Sequence, residues 1–136
     1  MLVCDTGVLV AAANVKDQQH EACARLLSRA AGPLLVPSPV IAEVCYLLES
    51  RRGSRTEASF LRSFEDGLHL AEVTPADLSR MAELVSTYDD LPLGAVDASV
   101  VAVAERVNAA EIATLDRRHF SIVRPRHVPL FQLLPS

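Results

Sequence analysis

Tryptophan is missing from this chain, and four Phe and two Tyr are its only aromatic residues. Extensive stacking of single-stranded bases on aromatic platforms is therefore not on offer. Cysteine is nearly as scarce. Cys4, Cys23 and Cys45 form an odd set inside apolar segments, which reads as reduced core thiols rather than a disulfide framework. Pro, Gly or Asp interrupts every apolar stretch well before about 18 residues accumulate, so no membrane-spanning helix is expected. The basic start, continuous apolar segment and small-residue cleavage site of a secretory signal are also lacking, and a cytoplasmic protein is expected. Excess positive charge is absent too. With a formal net charge of −4, the chain does not hold nucleic acid through net charge alone. No Walker phosphate loop, GxGxxG or paired CxxC occurs. His20 and Cys23 share a helical face, but without further ligands they make no zinc site.

What is present suits one compact domain. The 136 residues are 50% hydrophobic and 22% charged, enough for a core and too few charges for wholesale disorder. Leu2 to Cys4 reads as a buried parallel strand running into a Thr-Gly loop. Asp17 is placed to cap a helix reaching about Ala31, where Gly32 stops it. Leu34 to Val36 is a second strand. Ser38-Pro39 opens a helix that ends near Arg52, before Gly53. Ser54 with Glu57 spells a capping box for a helix that Gly67 ends. Leu68 to Val73 reads as a strand, and Thr74-Pro75 with Asp77 opens a helix to about Tyr88. After a loop over residues 89–94, Val96 to Asn108 is a buried helix. Glu111 to Leu115 is a strand, and Leu130 to Leu133 a last one. This alternation predicts a three-layer α/β/α sandwich with a central parallel sheet, spanning residues 1–136 as a single domain.

Four carboxylates break into apolar segments where charge is costly. Asp5 ends Leu2-Val3-Cys4, Glu43 follows Val40-Ile41-Ala42, Asp97 is the only charge between Leu91 and Ala104, and Asp116 ends Ile112–Leu115. Each has an ordinary reading by itself, as a turn acid, a tipped helix residue, a first-turn helix charge or a surface ion pair. Taken jointly they point to one site. No Lys or Arg shares these apolar stretches, and desolvating an unpaired carboxylate costs several kcal/mol or more. Asp5 and Asp116 fall at carboxyl ends of expected strands, where open α/β sheets bind ligands. Val40 and Leu47 turn the Glu43 face of its helix inward. Gathered carboxylates raise one another's pKa unless a cation is present. Hard cations such as Mg²⁺ or Mn²⁺ suit oxygen ligands and act on phosphodiesters through activated water. No His or Lys near these motifs reads as a general base, which fits that chemistry.

The motifs Asp5-Thr6, Pro39-Val40-Ile41-Ala42-Glu43-Val44, Gly94-Ala95-Val96-Asp97-Ala98 and Thr114-Leu115-Asp116-Arg117-Arg118-His119-Phe120 resemble those of the PIN-domain ribonucleases, in particular the VapC toxins of bacterial toxin–antitoxin pairs. The resemblance covers nearly the whole chain and implies the same α/β/α fold. It implies metal-binding catalytic acids at Asp5, Glu43, Asp97 and Asp116. Asp5 and Asp97 are most similar to the direct ligands, while Glu43 and Asp116 act partly through water. Thr6 and Thr114 resemble the hydroxyls that orient such carboxylates; turn and strand-end roles stay open for both. Gly7 stands where many relatives carry Ser, Asn or Ala. The resemblance further implies Mg²⁺ (or Mn²⁺) dependence, an RNA substrate in the translation machinery (transfer or ribosomal RNA), a cognate small antitoxin protein and a homodimer.

Arg117 and Arg118 follow a candidate ligand directly and are candidate phosphate clamps. Arg51 and Arg52, with Arg55, form a second candidate RNA-binding group, and Arg124, Arg126 and His127 a third. For any single one of them a solvated face is the ordinary reading. Apolar helical faces around Leu61, Phe64 and Met81 are candidates for assembly, with plain core as the alternative. Two other functions remain open. One is a non-catalytic PIN-like RNA- or protein-binding module, and the other an aspartyl-phosphate domain built on Asp5.

Overall fold

The computed structural model describes residues Met1–Ser136. Five short strands make one all-parallel sheet: β1 (Leu2–Cys4), β2 (Leu34–Pro37), β3 (Leu68–Ala71), β4 (Glu111–Ala113) and β5 (Gln132–Leu134). Their order is β3-β2-β1-β4-β5. Val3 is registered with Leu35 on one side and Ile112 on the other. The chain leaves β1 toward β2 and β3, then returns to add β4 and β5 on the opposite side. The β1–β4 junction is thus the switch point at whose carboxyl edge α/β sheets form a crevice.

Seven α-helices cover the sheet: α1 (Thr6–Ala13), α2 (His20–Arg29), α3 (Ser38–Arg52), α4 (Ser54–Arg62), α5 (Pro75–Thr87), α6 (Ala95–Val107) and α7 (Arg117–Ile122). Helix α6 crosses β1 and β2 and packs on α3 and α5, while α1 packs on α2 and α3. Burial on both faces explains the continuous apolar strands, with Val3, Cys4, Val36, Ile112 and Ala113 fully enclosed. No helix is long and apolar enough to cross a membrane. The expected α/β/α sandwich is the observed architecture.

Several local expectations change. Helix α1 occupies the loop expected after Cys4. Its Val8 and Val10 are poor helix formers and Gly7 a worse one, so burial of Val8, Leu9, Val10 and Ala11 holds it. Asp17 does not cap α2. Its Oδ1 accepts from the Gln19 N–H at 2.8 Å in a local turn, and the helix starts at His20. The Ser54/Glu57 capping box does not form. Gly53, at φ +85°, leads into α4, and no side chain caps it. The Thr74/Asp77 box does form, with bonds of 3.1 and 3.0 Å. Strand β4 stops two residues short of Leu115, and α7 follows where no helix was expected. Met81 belongs to the core, Phe64 is half-buried, and of the three only Leu61 is exposed.

Candidate active site

Asp5 sits immediately after β1 and is buried, at 6% exposure. Its carboxylate is held from the neighbouring strand. The Thr114 hydroxyl, just past β4 and itself 1% exposed, donates to Asp5 Oδ2 at 2.8 Å. The same Thr114 oxygen accepts the Asp116 N–H at 2.9 Å. One hydroxyl therefore joins the ends of β1 and β4 and sets both acids across the switch point. The Thr114 hydroxyl is thereby placed to orient the Asp5 carboxylate. Asp116, half-buried, is the N-cap of α7: its Oδ1 accepts from the His119 N–H at 3.0 Å, while its Oδ2 contacts the His119 ring.

Asp97 lies in the first turn of α6, half-buried, where the helix dipole favours negative charge. Glu43 departs from expectation because it is exposed. Val40, Val44 and Leu48 form the buried stripe of α3, and Glu43 stands one residue, about 100° of helix, away from Val44. It is a rim residue rather than an inward-facing one.

Electrostatics nevertheless ties all four acids together. Burial pushes the Asp5 carboxyl up to about 6, against hydrogen bonds from the Thr114 hydroxyl and Thr6 backbone that lower it, and the charges of Asp97 and Glu43 raise it further. Asp97 is also raised, by burial first and then by Asp116 and Glu43, against the opposing His119 and a Gly94 backbone bond. Each acid is thus felt by at least one of the others. A cluster that resists ionisation in this way fits a divalent cation. So does the Thr6 hydroxyl, which is buried and has no hydrogen-bond partner. Oxygen donors of this kind suit a hard ion.

His119 is a site residue the sequence reading missed. Its Nδ1 lies 3.3 Å from Asp97 Oδ2 and touches Asp116 Oδ2. With both aspartates it makes a three-residue group of metal-ligand type. The signal was the spacing Asp116-x-x-His119, which in the first turn of a helix puts both side chains on one face.

The basic residues divide. Arg118 is exposed, two residues after Asp116. Arg117 Nη1 donates to the Pro135 carbonyl at 3.0 Å and so ties down the C-terminal segment. Arg51 and Arg52 end α3, eight and nine residues beyond Glu43, or about 12 Å along its axis, and are not brought to the acids. The third group is engaged within the fold. Arg124 bonds the Ser121 and Ile122 carbonyls, Arg126 pairs with Glu83 at 2.9 Å, and His127 Nε2 meets the Ala109 carbonyl.

Comparison with known proteins bears on the family and the fold. Residues 2–124 match the sequence model of the PIN domain. Over 135 residues the chain is 34% identical to Ribonuclease VapC26 of Mycobacterium tuberculosis, covering 98% of this chain and all of that one. Among solved structures it resembles VapC20 of Mycobacterium tuberculosis, a sarcin-ricin loop cleaving toxin, with TM-score 0.82 and 20% identity over 95% of this chain and 99% of the other. VapBC2 of Rickettsia felis, solved on a promoter DNA fragment, follows with TM-score 0.70 and 19% identity over 97% of each chain. The chain belongs to the PIN-domain family, in the VapC group.

Proposed function

We propose that this protein is a Mg²⁺- or Mn²⁺-dependent endoribonuclease, the toxin of a toxin–antitoxin pair, which hydrolyses structured RNA of the translation machinery. The observation that carries the reading is geometric: Asp5 is buried at the end of β1 and oriented by the Thr114 hydroxyl, which also accepts the Asp116 N–H, and Asp97, Asp116 and His119 offer donor atoms within 4.8 Å of one another. Asp5 and Asp97 would hold the ion, with Glu43 and Asp116 contributing partly through water. Such an ion, when bound, polarises the phosphoryl oxygen and lowers the pKa of water.

The chain's own residues do the rest. Thr114 fixes the Asp5 carboxylate by donating a hydrogen bond to Oδ2, and the N–H of Asp116, donating to the Thr114 oxygen, fixes Thr114 in turn. Arg118, exposed two residues after Asp116, clamps a substrate phosphate. With few aromatic residues to stack bases, recognition is by backbone and shape, with cleavage at an exposed RNA loop. A small antitoxin blocks the crevice and the toxin works as a homodimer. The solved relatives that include antitoxin complexes, such as VapBC2, support that partner.

The test is a structured RNA incubated with the protein and Mg²⁺, Mn²⁺ or EDTA, alongside Asp97→Asn. Cleavage that needs the metal and is lost in the variant is the expected result. RNA binding without cleavage under every metal would instead make the protein a non-catalytic binding module.

A further inference from the structure

We infer that Leu115 is the surface on which the RNA lays an unstacked base beside the bond to be cut, a contact that selects loops over stems. This assignment rests on the proposed nuclease reading and adds to it a residue that recognises the nucleotide rather than the phosphate. Three observations support it.

Placement comes first. Leu115 stands in the turn between β4 and α7, with Thr114 before it and Asp116 after it. Its side chain lies along the first turn of α1, where its Cβ, Cδ1 and Cγ are 3.6, 3.7 and 3.9 Å from the position a Cβ on Gly7 would take. Gly7 follows Asp5 by two residues, so both segments that meet at Leu115 carry an acid of the site. Consecutive Cα atoms are about 3.8 Å apart, and a phosphodiester drawn to Asp116 brings a flanking nucleotide onto its neighbour.

Exposure on a rigid turn is the second. Leu115 is 38% exposed, while the backbone on either side of it is pinned. The Thr114 N–H donates to the Leu134 carbonyl at 2.8 Å, the Thr114 hydroxyl accepts the Asp116 N–H at 2.9 Å, and Asp116 Oδ1 caps α7. A lone exposed leucine is ordinary on a protein surface. This one is held by the same bonds that orient the acids, so it keeps a fixed place relative to them. Little freedom is lost when a base is laid on it.

Chemistry is the third. A leucine side chain offers neither donor nor acceptor, so it senses the flat face that every base has and not which base it is. In a stem that face is covered by stacked neighbours, and in a loop it is free. The chain has no Trp, and Phe120, four residues after Asp116, is fully buried. The exposed apolar surface next to Asp116 is therefore that of Leu115.

The experiment is steady-state cleavage, with Mn²⁺, of a stem-loop oligoribonucleotide that the wild type cuts, and of copies with an abasic nucleotide on one or the other side of the cut. Leu115→Ser should raise KM about fivefold, roughly the effect of covering a third of a leucine, with kcat and Mn²⁺ affinity within about twofold of wild type. One of the two abasic positions should cost the wild type a similar factor and the variant nothing further. Leu115→Met keeps the apolar surface and should stay within about twofold of wild type. Circular dichroism establishes that both variants are folded. Losses that simply add on the abasic substrates overturn the inference and leave the nuclease reading standing. So does an unchanged KM, a loss carried by kcat or Mn²⁺ affinity instead, or a Leu115→Met variant as impaired as Leu115→Ser. A wild type that cuts no RNA with any metal overturns the nuclease reading itself and the inference with it.

Discussion

Replacing Asp5 with Asn should make the metal-free protein more stable, which is the reverse of what an ordinary buried polar substitution does. Burial and the neighbouring Asp97 and Glu43 raise the Asp5 carboxyl from 3.8 to about 6. A shift of about two units corresponds to roughly 3 kcal/mol between its charged and neutral forms. Because the folded-state value lies above the unfolded one, the native state binds more protons between pH 4 and 6. Stability from this group is therefore complete below about pH 4 and is lost as pH rises through 6. Asp97 is shifted in the same direction and adds to the trend. Asn mimics the neutral acid and keeps an oxygen to accept the Thr114 hydroxyl. At pH 7.5 without metal, Asp5→Asn should gain up to about 3 kcal/mol, or on the order of 5–10 °C in Tm for a chain of this size. At pH 4.5 most of that gain should vanish. With saturating Mn²⁺ the order should reverse, since only the wild type is stabilised by the ion. Differential scanning fluorimetry in EDTA and in Mn²⁺ across this pH range reads all three. A lower Tm for the variant in EDTA at pH 7.5, or a gain that does not change with pH, would refute the proposed crowding of charge around Asp5.

Other substitutions probe separate links. Thr114→Val removes the hydroxyl that joins Asp5 to the Asp116 N–H; it should lower stability by about 1–3 kcal/mol in urea titration and metal affinity by about tenfold or more. Arg118→Ala should raise KM for RNA while leaving Mn²⁺ affinity unchanged, and equal loss of both would give that arginine a structural role instead. Gly7→Ala should stabilise by about 0.5–1 kcal/mol, because a Cβ there meets only the Leu115 side chain, at 3.6 Å; a lower Tm would mean that the start of α1 is packed more tightly than this.

Elements with local punctuation were readable from sequence. Thr74 and Asp77 cap α5 on both sides of the box, Pro39 sits in the first turn of α3, and Asn108 closes α6 in a left-handed turn. Elements held by distant contacts were not. Helix α1 has weak helix formers and depends on burial of Val8 to Ala11. Helix α7 has only six residues, anchored by the Asp116 cap and a fully buried Phe120. Ser54 and Glu57 satisfy a motif that the backbone at Gly53 does not use. The same division runs through the site. Strand-end Asp5 was legible because nothing else in its segment is polar, and Asp97 because it opens an apolar helix. Glu43 is exposed rather than inward-facing, because a one-residue error in the buried stripe of α3 rotates a side chain by about 100°. His119 went unread because its role emerges only when α7 forms and brings it to Asp97. Arg117 had the right neighbours in sequence, but a carbonyl of the chain terminus takes up one of its donors.

The central claim is that acids remote in sequence meet around one divalent ion. Anomalous diffraction from crystals grown with Mn²⁺ tests it most directly. The account predicts a manganese peak bonded to carboxylate oxygens of Asp5 and Asp97, with Asp116 and Glu43 beside it, and no such peak in Asp97→Asn. A wild-type crystal with no manganese at this edge of the sheet, or with Asp5 bonded only to Thr114 while the ion sits elsewhere, would contradict it.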